Sequence, residues 1–110
     1  ALRHGLEAAR AAGAEVITVG EGAEVDPARV KAELVERGHT RLLTEGGPRL
    51  LGAFAEAGVL DELCLTTAPR YVVGTAGRVM SGPGVRVPRE LALTSLLEES
   101  GFLFGRYQRV

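Results

Sequence analysis

Leu42-Leu43-Thr44-Glu45-Gly46-Gly47-Pro48-Arg49-Leu50-Leu51 decides the fold. Arg41 to Thr44 has the apolar content of a short buried strand. Glu45-Gly46-Gly47 follows as a turn, and Pro48 opens a helix running to about Ala57, with Leu50, Leu51, Phe54 and Ala55 on its apolar stripe. Proline suits a first helical position because the N–H it lacks would have no intrahelical acceptor. Gly58 ends the helix. A strand that turns through glycine into a helix places backbone N–H groups at the carboxyl end of a sheet, where open α/β folds bind ligands. The unsatisfied N–H groups and partial positive charge of a helix N-terminus suit an anion such as phosphate. Glycine needed only for a tight turn explains the same pattern equally well. Glu45 has two readings, a carboxylate capping the helix or a group facing a ligand.

Alternation of elements continues on both sides. Upstream, Leu2, Leu6, Ala9 and Ala12 have helical spacing, closed by Gly13. Glu15 to Val19 is a short β-branched strand, Gly20-Glu21-Gly22 a flexible turn, and Asp26-Pro27 the start of a helix to about Arg37, with Val30, Leu34 and Val35 inward and Gly38 ending it. Downstream, Asp61 to Pro69 is a strand with no strongly polar face, expected at the centre of a sheet covered on both sides. Residues 74–84 form a glycine-rich loop. Leu91 to Glu98 and Phe102 to Arg109, separated by Glu99-Ser100-Gly101, form a hairpin. The expected fold is a single α/β domain over residues 1–110: three layers, α/β/α, on a mixed, mainly parallel sheet that ends in an antiparallel hairpin.

Composition excludes several classes. The 110 residues carry a formal net charge of -1, which gives no general attraction to nucleic acid or anionic membranes. No apolar run approaches the ~18 residues of a membrane span, and no signal-peptide pattern opens the chain, so a cytoplasmic location is expected. Cys64, the one cysteine, is expected to be a small buried hydrophobe in a reducing compartment. The fifteen glycines are about twice the usual ~7% share, pointing to tight turns and close backbone approaches. Ala1 begins the chain inside an apparent helix without a cap, so we expect a longer polypeptide.

Among chemical motifs, neither the phosphate-binding G-x-x-x-x-G-K-[ST] nor G-x-G-x-x-G is present; Gly20-Glu21-Gly22 lacks the third glycine. His4 and His39 stand far apart without companion ligands, so no metal is expected. No Ser/His/Asp arrangement is legible. Arg49, Arg70 and Arg78 are each expected to be solvated surface residues when taken singly.

Leu42 to Gly52, followed by Ala57-Gly58-Val59-Leu60-Asp61-Glu62-Leu63-Cys64-Leu65-Thr66-Thr67-Ala68-Pro69, resembles the carboxyl-terminal reductase domain of bacterial riboflavin biosynthesis, which is similar in fold to dihydrofolate reductase. Val16-Ile17-Thr18-Val19-Gly20, the Asp26 helix and the final hairpin fit the same order, so the resemblance spans essentially the whole chain. It implies NADPH-dependent reduction of the ribosyl group of a 5-amino-6-ribosylamino-pyrimidine phosphate to ribityl, by hydride delivery to its first carbon. It places Gly46, Gly47, Pro48, Arg49, Leu50, Leu51, Gly52 and Ala53 at the cofactor, along its pyrophosphate, and turns Glu45 towards the pyrimidine nucleotide substrate. It also implies a homodimer.

Members of that family usually carry a further stretch of comparable length ahead of this one. It holds the first strand, most substrate-binding side chains and the residues gripping the 2′-phosphate. These 110 residues are thus expected to be the C-terminal part of a larger reductase domain, incomplete in isolation, and none of them is assigned as proton donor. Two other readings are a dihydrofolate-reductase-like enzyme of different specificity and a non-catalytic nucleotide-binding fragment.

Overall fold

The computed structural model describes residues 2–20, 24–84 and 87–110, in the order α1 (Leu2–Ala11), α2 (Pro27–Glu36), α3 (Pro48–Glu56), β1 (Glu62–Thr67), β2 (Leu91–Glu99) and β3 (Phe102–Arg109). The turn expected at Gly20-Glu21-Gly22 lies largely outside the described residues. The helices start and stop where local chemistry directs. Asp26 caps α2, its Oδ1 accepting from the N–H groups of Ala28 at 2.9 Å and Arg29 at 3.4 Å, with Pro27 next in the chain. All three helices end in the same paired bonds. Beyond α2, Gly38 donates to Val35 and His39 to Leu34; beyond α3, Gly58 donates to Ala55 and Val59 to Phe54; beyond α1, Gly13 donates to Arg10 and Ala14 to Ala9.

The sheet has the order β1-β3-β2, and both ladders are antiparallel. β2 and β3 form the expected hairpin. Its loop is Ser100-Gly101, with φ of 52° and 80°, the two positive values a tight twisted hairpin turn requires. Glu98 supports it by accepting from the Gly101 N–H at 2.6 Å. A bulge at Thr94 shifts the register between Leu93 and Ser95, and the Thr94 hydroxyl donates to the Arg106 carbonyl at 3.1 Å.

Mixed α/β content is thus present, but the mainly parallel sheet is not. The strands expected at 15–19 and 41–44 join no ladder among the described residues. Each has the β-branched or apolar sequence of a strand, but a strand exists only through a neighbour's N–H and C=O groups, and neither segment bonds to a described one. β1, expected at the centre, is an edge strand. Among the described residues α2 lies closest to α3, and both face β1 across a shared cavity.

Burial follows from this. Among the described residues Gly52 and Gly105 are buried, but no hydrophobic side chain is, and Val30, Leu34, Leu51 and Phe54 are only half-buried. Cys64, expected inside, is exposed because it lies on the edge strand. Ionic and hydrogen-bonded ties join the parts instead. Lys31 on α2 donates to the Val59 carbonyl at 3.2 Å and pairs with Asp61 at 2.7 Å, and Arg109 on β3 donates to the Gly58 carbonyl at 2.7 Å. Arg37 pairs with Glu33 at 2.8 Å and with Glu15, which anchors the segment after α1 to α2.

Candidate functional site

The strand–turn–helix corner contains two glycines with different duties. A Cβ on Gly46 would stand 2.3 Å from Leu50 Cδ2 and 3.2 Å from Leu50 Cβ, so Gly46 lets the chain fold back closely over the first turn of α3. Gly47 is the N-cap of α3, with φ -62° and ψ 178°. Any residue adopts that conformation, and a Cβ there would meet nothing within 4 Å. Neither backbone geometry nor packing within these residues therefore demands glycine at 47. It leaves bare backbone at the mouth of the helix.

The N-terminus of α3 is uncapped. No side chain accepts from its first turn, whereas the Asp26 carboxylate fills the corresponding place on α2. The first helical bond runs from Leu51 N–H to the Gly47 carbonyl at 3.1 Å. Pro48 has no N–H. The N–H groups of Gly47, Arg49 and Leu50 thus have no acceptor among the described residues. Glu45 resolves one of the two readings of its carboxylate: it does not cap the helix. It is exposed, accepts no hydrogen bond among the described residues, and lines a cavity of about 550 Å³ with Thr44, Leu51, Phe54 and Leu63.

Gly52 faces elsewhere. A Cβ on it would stand 2.2 Å from the Ser81 carbonyl oxygen, and the Ser81 N–H donates to the Pro48 carbonyl at 3.0 Å. The glycine-rich loop is thus laid along α3. Its far end is held by Glu56, whose Oε1 accepts from the Gly84 N–H at 2.8 Å. Sequence reasoning left this contact out, although a glycine in the middle of a helix is a signal of close packing. Between loop and helix lies a second cavity, of about 460 Å³, lined by Gly52, Ala55, Leu60, Met80 and Arg89. At the C-terminal end of α3, Arg89 donates to the Glu56 carbonyl at 3.4 Å, so this guanidinium and that of Arg109 sit at the negative end of the helix dipole.

Charges near the start of β1 are paired. The Lys31 ammonium, by hydrogen bonding, holds the Asp61 carboxyl below the usual carboxylate range, with Arg109 adding to the effect. Glu62 is held low first by the Arg106 guanidinium at 2.8 Å and then by Gln108 at 3.0 Å. Of the residues expected at the cofactor, the structure brings Gly46, Gly47, Arg49 and Leu50 together at the open helix end. Leu51 turns towards the cavity that Glu45 lines, and Gly52 towards the loop.

A pyrimidine reductase-like protein of Corynebacterium diphtheriae has a solved structure similar to this one, with a TM-score of 0.84 and 24% sequence identity. The match covers 98% of this chain and 44% of that one, so this chain spans less than half the length of the protein it resembles. Among curated proteins no match is found. The family described as the RibD C-terminal domain matches residues 4–100. The chain belongs to that family, the carboxyl-terminal reductase domains of riboflavin biosynthesis that the stretch from Leu42 to Pro69 resembles.

Proposed function

We propose that these residues form the cofactor-binding part of an NADPH-dependent reductase of riboflavin biosynthesis. The enzyme converts the ribosyl group of a 5-amino-6-ribosylamino-pyrimidine phosphate to ribityl. The observation that carries the reading is the open N-terminus of α3, where three N–H groups lack acceptors and a glycine keeps side chains away. A pyrophosphate fits this donor set, because oriented N–H groups and the positive end of the helix dipole both favour anionic oxygen. When bound, NADPH supplies the hydride that reduces the first carbon of the sugar.

Each residue then has a definite part. The N–H groups of Gly47, Arg49 and Leu50 donate to pyrophosphate oxygens. Gly46 keeps the turn close to the helix so that those groups point the same way. The exposed Arg49 guanidinium adds positive charge beside them. Glu45 extends into the neighbouring cavity, where its carboxylate accepts hydrogen bonds from hydroxyl or amino groups of the substrate. The protein works as a homodimer in the cytoplasm.

The test is an assay of the natural-length protein with NADPH and the ribosylamino-pyrimidine phosphate. NADPH oxidation is followed by absorbance and the ribityl product by mass spectrometry. Stoichiometric formation of both products supports the proposal. Absence of NADPH oxidation by folded protein with this substrate contradicts it.

A further inference from the structure

We infer that the cavity of about 460 Å³ between α3 and the 78–84 loop is a second binding site, which takes a small aromatic molecule carrying one carboxylate or phosphate. It lies towards the opposite end of α3 from the open N-terminus, on a helix roughly 12 Å long. The inference goes beyond the reductase reading and does not rest on it.

The charge of the cavity points to an anion. Three guanidiniums, those of Arg78, Arg89 and Arg109, line it beside one carboxylate, that of Glu56. The carboxylate is already engaged. Its Oε1 accepts from the Gly84 N–H at 2.8 Å, and a Cβ on Gly82 would stand 2.6 Å from the same oxygen, so the loop closes over it. Arg109 is engaged too, with the Gly58 carbonyl at 2.7 Å and with Asp61 at 3.4 Å. Arg78 and Arg89 differ. Neither has a carboxylate partner among the described residues. Arg89 uses one of its five N–H donors, towards the Glu56 carbonyl at 3.4 Å. Its head group is nevertheless placed closely. A Cβ on Gly58 would stand 3.2 Å from both of its terminal nitrogens, so the glycine that ends α3 also lets the guanidinium lie against the chain. The remaining donors form a fork that matches two oxygens of a carboxylate or phosphate.

The rest of the cavity selects the body of the ligand. Ala55, Leu60, Met80 and Leu91 give it an apolar surface that an inorganic ion would leave uncovered. An aromatic ring suits these walls, because a thioether sulfur favours ring contacts and guanidinium planes stack on ring faces. The volume lies within the range of small-molecule sites, about 300–1,000 Å³, whose usual make-up is an apolar lining with a few convergent polar groups. The loop wall is held without a ligand. The Ser81 N–H donates to the Pro48 carbonyl at 3.0 Å at one end, and Gly84 is tied to Glu56 at the other.

Titration of naphthyl phosphate and of naphthoate into isotope-labelled natural-length protein, followed by two-dimensional NMR with and without saturating NADPH, tests this. Saturable shifts are expected at the amides of Gly58, Ser81, Gly82 and Gly84, with the same affinity in both conditions, and the tighter probe identifies the head group. Inorganic phosphate and naphthol, each supplying half of the ligand, should bind at least about tenfold more weakly. Arg78→Gln and Arg89→Gln, each of verified fold, should weaken the better probe by about tenfold, as expected for loss of a charge-assisted hydrogen bond. Arg70→Gln, on an exposed segment beyond β1, should leave its affinity unchanged. Affinity unchanged by both Arg78→Gln and Arg89→Gln would overturn the inference. So would shifts confined to Gly47, Arg49 and Leu50. Displacement of the probe by NADPH would overturn it by making the cavity part of the cofactor site. Absence of any shift would overturn it by showing that other polypeptide fills the cavity.

Discussion

Gly46, Gly47 and Gly52 stand close together in the chain and do three different things. Gly46 admits the Leu50 side chain, Gly52 admits the Ser81 carbonyl, and Gly47 admits nothing from the described residues. Gly52→Val sets a side chain against fixed backbone. It is expected to cost about 1–3 kcal/mol, read as a lower urea midpoint with unchanged slope. Gly47→Asp is expected to behave in the opposite way. A carboxylate at an N-cap accepts from the first-turn N–H groups, so stability should rise by a few tenths of a kcal/mol. The same carboxylate occupies the donors proposed for pyrophosphate, so NADPH affinity should fall steeply. The sequence Glu45-Gly46-Gly47-Pro48 made the open helix end legible, because Pro48 marks the first helical position and Gly47 has no side chain to cap the N–H groups that follow. It did not separate the glycines, since their difference lies in contacts with Leu50 and with the distant Ser81.

At the scale of elements, local chemistry was readable and pairing was not. Asp26-Pro27, Gly13, Gly38 and Gly58 fix helix ends through bonds made within a few residues, and each appears where the sequence puts it. Ser100-Gly101 fixes the hairpin for the same reason. Residues 15–19 and 41–44 have strand chemistry but need partners from afar, which no short-range pattern supplies. Asp26→Ala should cost about 1 kcal/mol of stability, checked by the thermal midpoint. Acid should act on the start of β1. The carboxyls of Asp61 and Glu62 are held lower in the folded chain than in the unfolded one. In acid the unfolded chain therefore binds more protons. The stability these groups contribute is fully present above their unfolded values, about 4, and is lost as pH falls below that range. Both carboxylates are largely exposed, so the effect should be small and should shrink with salt, as a comparison of thermal midpoints at pH 6 and pH 3 in low and high salt would show.

At the scale of the molecule, what stands out is surface. The radius of gyration is 17.1 Å, against about 13 Å for a compact domain of this length. Tyr71, Val72 and Val73 are 90% exposed or more, and the hairpin displays Leu93, Leu96 and Leu97. No helix among the described residues is long and apolar enough to cross a membrane. For the proposed homodimer we propose the apolar hairpin beside the edge of β2 that is unpaired among the described residues. Sedimentation of the natural-length protein should give twice the chain mass, and a monomeric mass at micromolar concentration would count against that assignment. The central claim, that the open end of α3 holds the pyrophosphate of NADPH, is tested most directly by titrating NADPH fluorescence against natural-length wild-type and Gly47→Asp proteins of verified fold. The account predicts saturable binding to the wild type and affinity at least about tenfold weaker for the variant, corresponding to loss of about 1.4 kcal/mol or more. Equal affinity of the two proteins would contradict it.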